Sequence, residues 1–88
     1  MLNPTTTSKF EKEVGVMKKR NKALEKLKFD MSQLIEEQSL EKRFNDHSLI
    51  GNFIGRRECH IEPDWLLIYR IDGQDIYFER TGTHSDLF

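Results

Sequence analysis

The chain has 88 residues, 33% of them charged, a single cysteine at position 59 and a formal net charge of −1. A chain of this size buries one modest core and no second, so residues 1–88 are expected to form a single domain. Lone Cys59 excludes an internal disulfide and a cysteine-rich zinc site, and the longest uninterrupted apolar run, Trp65-Leu66-Leu67-Ile68-Tyr69, falls far short of the roughly 20 residues of a membrane helix.

The N-terminus lacks a basic segment leading into an apolar stretch, so a soluble cytoplasmic protein is expected, with no membrane association and no disulfide-linked partner. Cys59 reads as a small core residue. Charge is uneven along the chain: residues 1–44 carry ten Lys/Arg against seven Asp/Glu, residues 45–88 four against eight. The basic excess concentrates in Lys18, Lys19, Arg20 and Lys22, with Lys26 and Lys28 beyond. Such a run either neutralises phosphates, with affinity that falls steeply as salt rises, or forms a solvated helix face.

In chain order, residues 1–6 are assigned to an edge strand. Ser8-Lys9-Phe10-Glu11 has the form of a capping box and should open a helix. Phe10, Val14 and Met17 follow at i, i+4, i+7; after a polar break at 18–22, Leu24, Leu27, Met31, Leu34 and Ile35 line one face of a second helix. The pair predicts an α-hairpin. Gly15 weakens the first helix by roughly 1 kcal/mol relative to Ala, for no reason visible in the sequence.

From Gly51 the period becomes that of strands: 52–61, 65–71 and 75–82, separated by the turn words Glu62-Pro63-Asp64 and Asp72-Gly73-Gln74. Apolar residues on both parities of 65–71 predict a central strand covered on both faces. The expected class is α+β, two N-terminal α-helices packed on a small antiparallel β-sheet.

All three histidines lie in the second half, His47, His60 and His84. Imidazole titrates near neutrality, so a cluster is a candidate acid/base site. In a meander the end of the first strand, the start of the second and the end of the third share one edge, which should bring His60, Asp64 and His84 together. Arg56, Glu58 and His60 share the polar parity of the first strand, Cys59 and Ile61 the other. His47 is not placed by strand topology and could lie at the far edge. Each histidine has an ordinary structural reading too. Two imidazoles and a carboxylate could also hold a metal with an open position, but helical His-Glu-x-x-His spacing is absent, and neither metal nor cofactor is expected. Arg57 and Arg80 are phosphate clamps in a nucleic-acid site and strand-surface charges otherwise. Trp65 and Phe88 either stack on bases or pack, Trp65 in the core.

The words Asp46-His47-Ser48-Leu49, Cys59-His60-Ile61-Glu62-Pro63-Asp64-Trp65-Leu66-Leu67-Ile68-Tyr69 and Phe78-Glu79-Arg80-Thr81-Gly82-Thr83-His84-Ser85-Asp86-Leu87-Phe88 closely resemble the YafQ-like toxins of the RelE/ParE superfamily. The match covers about half of the chain. The resemblance implies a RelE-like fold and a toxin of a type II toxin-antitoxin system that cuts messenger RNA in the A site of the 70S ribosome and so stops translation. It also implies neutralisation by a cognate, DinJ-like antitoxin. Carried over residue by residue, the catalytic set is His47, His60, Asp64 and His84; the substrate neighbours are Arg57, Trp65, Arg80 and Phe88.

RNA is cut without metal when its 2′-OH attacks the adjacent phosphorus, which needs a base, an acid for the departing 5′-oxygen and positive charge on the phosphate. His84 is assigned as acid, Asp64 or His47 as base, and His60 with Arg80 as phosphate ligands. Because the C-terminal half is acidic, ribosome docking is assigned to Lys18, Lys19, Arg20 and Lys22. The alternative is a non-enzymatic ParE-like toxin that binds DNA gyrase and needs no histidine constellation.

Overall fold

The computed structural model describes residues 1–37, 47–48 and 55–88. Its elements run β1 (Asn3–Thr6), α1 (Ser8–Lys19), α2 (Leu24–Ile35), β2 (His47–Ser48), β3 (Arg57–Glu62), β4 (Trp65–Asp72), β5 (Asp75–Gly82) and α3 (His84–Leu87). Both helices of the hairpin form over the periodic apolar sets. The cap of α1 sits one residue before the expected box. Thr7 is extended and its hydroxyl oxygen accepts from the Phe10 N–H at 3.0 Å, while Ser8 is already helical. Thr7 prevails because its hydroxyl also donates to the Glu79 carbonyl at 3.0 Å, which fastens the helix start to β5. At the other end Asn21 adopts φ 61°, and the Asn21 and Lys22 N–H groups bond back to the Lys18 and Met17 carbonyls at 3.0 Å each. This is a Schellman closure with Asn in the left-handed position, and it makes the joint between α1 and α2 tight. Gly15 is exposed and an added Cβ would meet nothing within 4 Å; the fold offers no reason for it.

The sheet order is β1-β5-β4-β3-β2. β3, β4 and β5 form the expected antiparallel meander, but β1 pairs with β5 in parallel, Asn3 opposite Asp75 through Thr6 opposite Phe78, so the sheet is mixed. The first predicted strand, 52–61, begins later, at Arg57; residues 52–54 lie outside the described set. β4 is central and buried on both faces. Trp65, Leu67 and Tyr69 join Phe10, Met17, Leu27, Leu34, Cys59, Ile76 and Phe78 under the helices, and Leu66 and Ile68 meet Leu87 on the opposite face. Burial of each such side chain contributes about 1.5–3 kcal/mol. On β5 the register passes from Phe78 opposite Tyr69 to Arg80 opposite Ile68, leaving Glu79 as the extra residue of a bulge. The face of β3 and β4 away from α1 and α2 carries Glu58, His60, Leu66 and Ile68, and α3 folds over it.

Candidate active site

α3 is set by Gly82 and Thr83, which precede it, together with Asp86. Gly82 brings the backbone close to Asp86, where an added Cβ would meet the Asp86 Cβ and Oδ2 at 3.0 Å. Thr83 then caps the helix. Its hydroxyl accepts from the Asp86 N–H at 3.2 Å, and the Asp86 carboxylate accepts from the Thr83 N–H at 2.9 Å, a reciprocal capping box. The same carboxylate takes a two-pronged grip from Arg20 at 2.7 and 3.2 Å. The Arg20 hydrogen bond, then the Thr83 backbone N–H, hold the Asp86 carboxyl well below the usual carboxylate range.

This turn presents His84 to the loop between β3 and β4. Asp64 Oδ1 accepts from the His84 backbone N–H at 2.9 Å and lies 2.6 Å from His84 Nδ1. The backbone bond first, and the ring bond second, lower the Asp64 pKa, so at neutral pH the group is a carboxylate. An acceptor-only partner assigns the proton to Nδ1 and leaves Nε2 as the atom for proton exchange. On β3, His60 Nε2 lies 2.9 Å from Glu58 Oε1. The two imidazoles stand edge to face with centroids 5.8 Å apart. Two histidines, each backed by a carboxylate, therefore share one sheet edge.

The structure brings together His60, Asp64 and His84. His47, unplaced by topology alone, is in β2 with its backbone opposite Glu58, so it belongs to the strand beside His60. Glu58 is the site residue that sequence reasoning passed over. It is buried, and its signal was the i, i+2 spacing to His60 on the polar parity of the strand.

Several assigned substrate neighbours are placed otherwise. Trp65 is fully buried and its Nε1–H donates to Thr81 Oγ1 at 2.9 Å, so its indole has no surface on which a base could stack. Arg57 is opposite Tyr69 and shares the parity of Cys59, so the pleat turns it to the face away from Glu58 and His60. Arg80 forks onto Glu13 of α1 at 2.8–3.0 Å, engaged with a carboxylate that raises its pKa further. Further along the same sheet, Arg56 and Arg70 both pair with Glu79, and Arg70 lies over the Tyr77 ring at 4.2 Å. Phe88 is 61% exposed, with its N–H bonded to the His84 carbonyl at 2.9 Å, one turn from the catalytic candidate. Of the basic run, Lys18 and Lys19 are exposed. Arg20 holds Asp86, and Lys22 and Lys26 each bond one oxygen of Glu62 at 3.0 Å.

Glu58, His60 and His84 each present a ligand atom within 4.8 Å of the others. This N,N,O set fits a transition-metal ion. An ion bound there would supply positive charge beside a phosphate while occupying the lone pairs that proton transfer requires.

The fold as a whole has close parallels. The chain is 42% identical over 83 residues to the mRNA interferase toxin YafQ of Escherichia coli strain K12, covering 93% of this chain and 90% of that protein. It superposes on the toxin in the crystal structure of the E. coli DinJ-YafQ complex with a TM-score of 0.93 and 39% identity, covering 100% of this chain and 99% of that one. A metal-bound toxin from Helicobacter pylori gives a TM-score of 0.93 at 37% identity, with both chains fully covered. Two helices on a mixed sheet are thus the architecture of a bacterial toxin. Residues 2–88 match the family described as the bacterial toxin of type II toxin-antitoxin systems, YafQ, and the chain belongs to that family.

Proposed function

We propose that the protein is an endoribonuclease that cleaves messenger RNA in the A site of the ribosome, without a metal ion, and so inhibits translation. The observation that carries the proposal is the pair of carboxylate-backed imidazoles 5.8 Å apart at one exposed edge. Its relative in E. coli is named an mRNA interferase, which supports the same chemistry. Gyrase binding needs no such pair.

The steps follow from which ring nitrogen each carboxylate engages. His60, backed by Glu58, takes the proton of the 2′-OH as that oxygen attacks phosphorus. The bond to the 5′-oxygen breaks, and His84 gives that oxygen the Nε2 proton while Asp64 stabilises the ring. The products are a 2′,3′-cyclic phosphate and a 5′-OH. Asp64 is reassigned from base to orienting group, because a carboxylate held below its ordinary pKa is a weaker proton acceptor. His47, across from Glu58, remains the second candidate base. Arg80 is engaged by Glu13, and Arg56 and Arg70 by Glu79, so each would have to exchange a carboxylate for the RNA backbone.

A domain of 88 residues supplies only part of an active site, so in-line alignment of 2′-OH, phosphorus and leaving oxygen is assigned to the ribosome, an effect on the order of several kcal/mol. Lys18 and Lys19 are the exposed cations of the docking surface. A DinJ-like antitoxin is the cognate partner, and we place it over the edge of His60, Asp64 and His84. Among the described residues no helix is long and apolar enough to cross a membrane, in keeping with work on cytoplasmic ribosomes.

The testing experiment compares translated message with naked RNA, using protein stripped of transition metals by a chelator and dialysed before it meets ribosomes in magnesium buffer. Cleavage of the translated message alone, at the rate of untreated protein, supports the reading; naked RNA cut equally fast, or activity lost on stripping and restored by a transition metal, contradicts it. A second expected result concerns Phe88. Its exposure suits stacking on the base beside the scissile bond, worth about 1–3 kcal/mol, so Phe88→Ala should fold normally and cleave message at least about tenfold more slowly. Native cleavage rates would leave Phe88 a packing residue.

A further inference from the structure

Lys18, Lys19, Arg20 and Lys22 were assigned to docking, yet Arg20 and Lys22, with Lys26 beyond them, are ion-paired to segments beside the site. Arg20 forks onto Asp86 of α3 at 2.7 and 3.2 Å. Lys22 and Lys26 hold the two oxygens of Glu62, at 3.0 Å each, and Glu62 precedes the Pro63-Asp64 turn. The Glu62 pKa is lowered, chiefly by Lys26 and then by Lys22. The tight joint of α1 and α2 therefore touches the two separate segments that supply Asp64 and His84.

Those segments need an external reference. α3 has four residues, far below the length at which a helix persists alone, and its one buried apolar side chain, Leu87, fixes depth against Leu66 and Ile68 but not rotation. A planar guanidinium fork does fix direction. The contact of His84 with Asp64 is 2.6 Å and survives only if both segments keep their places.

We propose that Arg20, Lys22 and Lys26 are positioning residues for cleavage: the α1–α2 joint holds the α3 turn and the Asp64 turn in mutual register. This rests on the nuclease reading above. Exposed ion pairs contribute little to stability, whereas a misplacement of about 1 Å at reacting groups costs on the order of a hundredfold in rate. Loss of the pairs should thus lower the rate far more than the melting temperature.

The test measures kcat and KM for cleavage on programmed ribosomes, with thermal unfolding alongside, for wild type, Arg20→Gln, Arg20→Lys, the double variant Lys22→Gln/Lys26→Gln and the double variant Lys18→Gln/Lys19→Gln. Arg20→Gln should lower kcat at least about tenfold with KM within about twofold. Arg20→Lys, which keeps the charge without the fork, should recover part of the loss. Lys22→Gln/Lys26→Gln should lower kcat about fivefold or more. Lys18→Gln/Lys19→Gln should raise KM and flatten its salt dependence instead. Native kcat with raised KM in Arg20→Gln would make Arg20 a docking cation and overturn the inference, as would native values of both. If Arg20→Gln does not fold, native kcat in Lys22→Gln/Lys26→Gln overturns it. Wild-type protein that leaves translated message intact would instead remove the nuclease reading on which the inference stands.

Discussion

His84→Gln should fold as the wild type does and lose about 10²–10⁴-fold in message cleavage, the usual range for a general acid or base. The glutamine amide can still donate to Asp64 but has no titrating proton for the 5′-oxygen. His84 is exposed, so its replacement leaves no cavity and stability should move by less than about 0.5 kcal/mol. The carboxylate behind it is ready at neutral pH. A folded-state pKa below the ordinary value means that the favourable Asp64 contact is fully present above about pH 4 and is lost as pH falls through the lowered value. Single-turnover cleavage on programmed ribosomes, with thermal unfolding as control, checks the result. A His84→Gln protein within about twofold of wild type would remove the proton-donor role.

Trp65→Ala should be the most destabilising of the substitutions considered, by about 3–5 kcal/mol. The indole is fully buried, and its removal leaves a large void beneath the helices. It also strips Thr81 Oγ1 of the 2.9 Å bond from Nε1, although Thr81 keeps its own donation to the Leu66 carbonyl at 2.7 Å. Domains of this size have about 5–15 kcal/mol in all, so a large share of stability would go. Trp65→Phe, which keeps most of the volume, should cost about 1–2 kcal/mol and leave cleavage near native. Denaturant midpoints separate this from a stacking role, for which Trp65→Ala would fold with native stability and fail only in cleavage.

Features with a local cause were legible in the sequence. Leu24, Leu27, Met31, Leu34 and Ile35 marked α2 because a 3.6-residue period is written into one segment, and apolar residues on both parities marked β4 as the central strand. The convergence of His60, Asp64 and His84 followed from meander topology, which fixes the shared edge before any side chain is placed. What escaped depended on partners far along the chain. Arg80 looks like a phosphate ligand until Glu13, 67 residues away, is seen to hold it. Arg20 and Lys22 look like a solvated face until Asp86 and Glu62 are found opposite them.

The parallel pairing of β1 with β5 has no local signature, since Asn3–Thr6 reads as extended chain whichever strand it joins. Thr7 displaced Ser8 as the cap through a bond to Glu79 that only the tertiary fold supplies. Arg57 was carried to the site by the family resemblance, though a period of two sets it on the opposite face from Glu58 and His60. Glu58 stood on the correct parity, and only the 2.9 Å contact with His60 reveals its place.

The chemistry of the cut ends tests the central claim most directly. Message cleaved on programmed ribosomes should carry a 2′,3′-cyclic phosphate on the upstream fragment and a 5′-OH on the downstream one, and a single 2′-deoxy nucleotide at the cleavage position should abolish the reaction, because attack by the 2′-oxygen leaves no other outcome. A 5′-phosphate on the downstream fragment, or cleavage of the deoxy-substituted message, would contradict acid/base catalysis by His60 and His84.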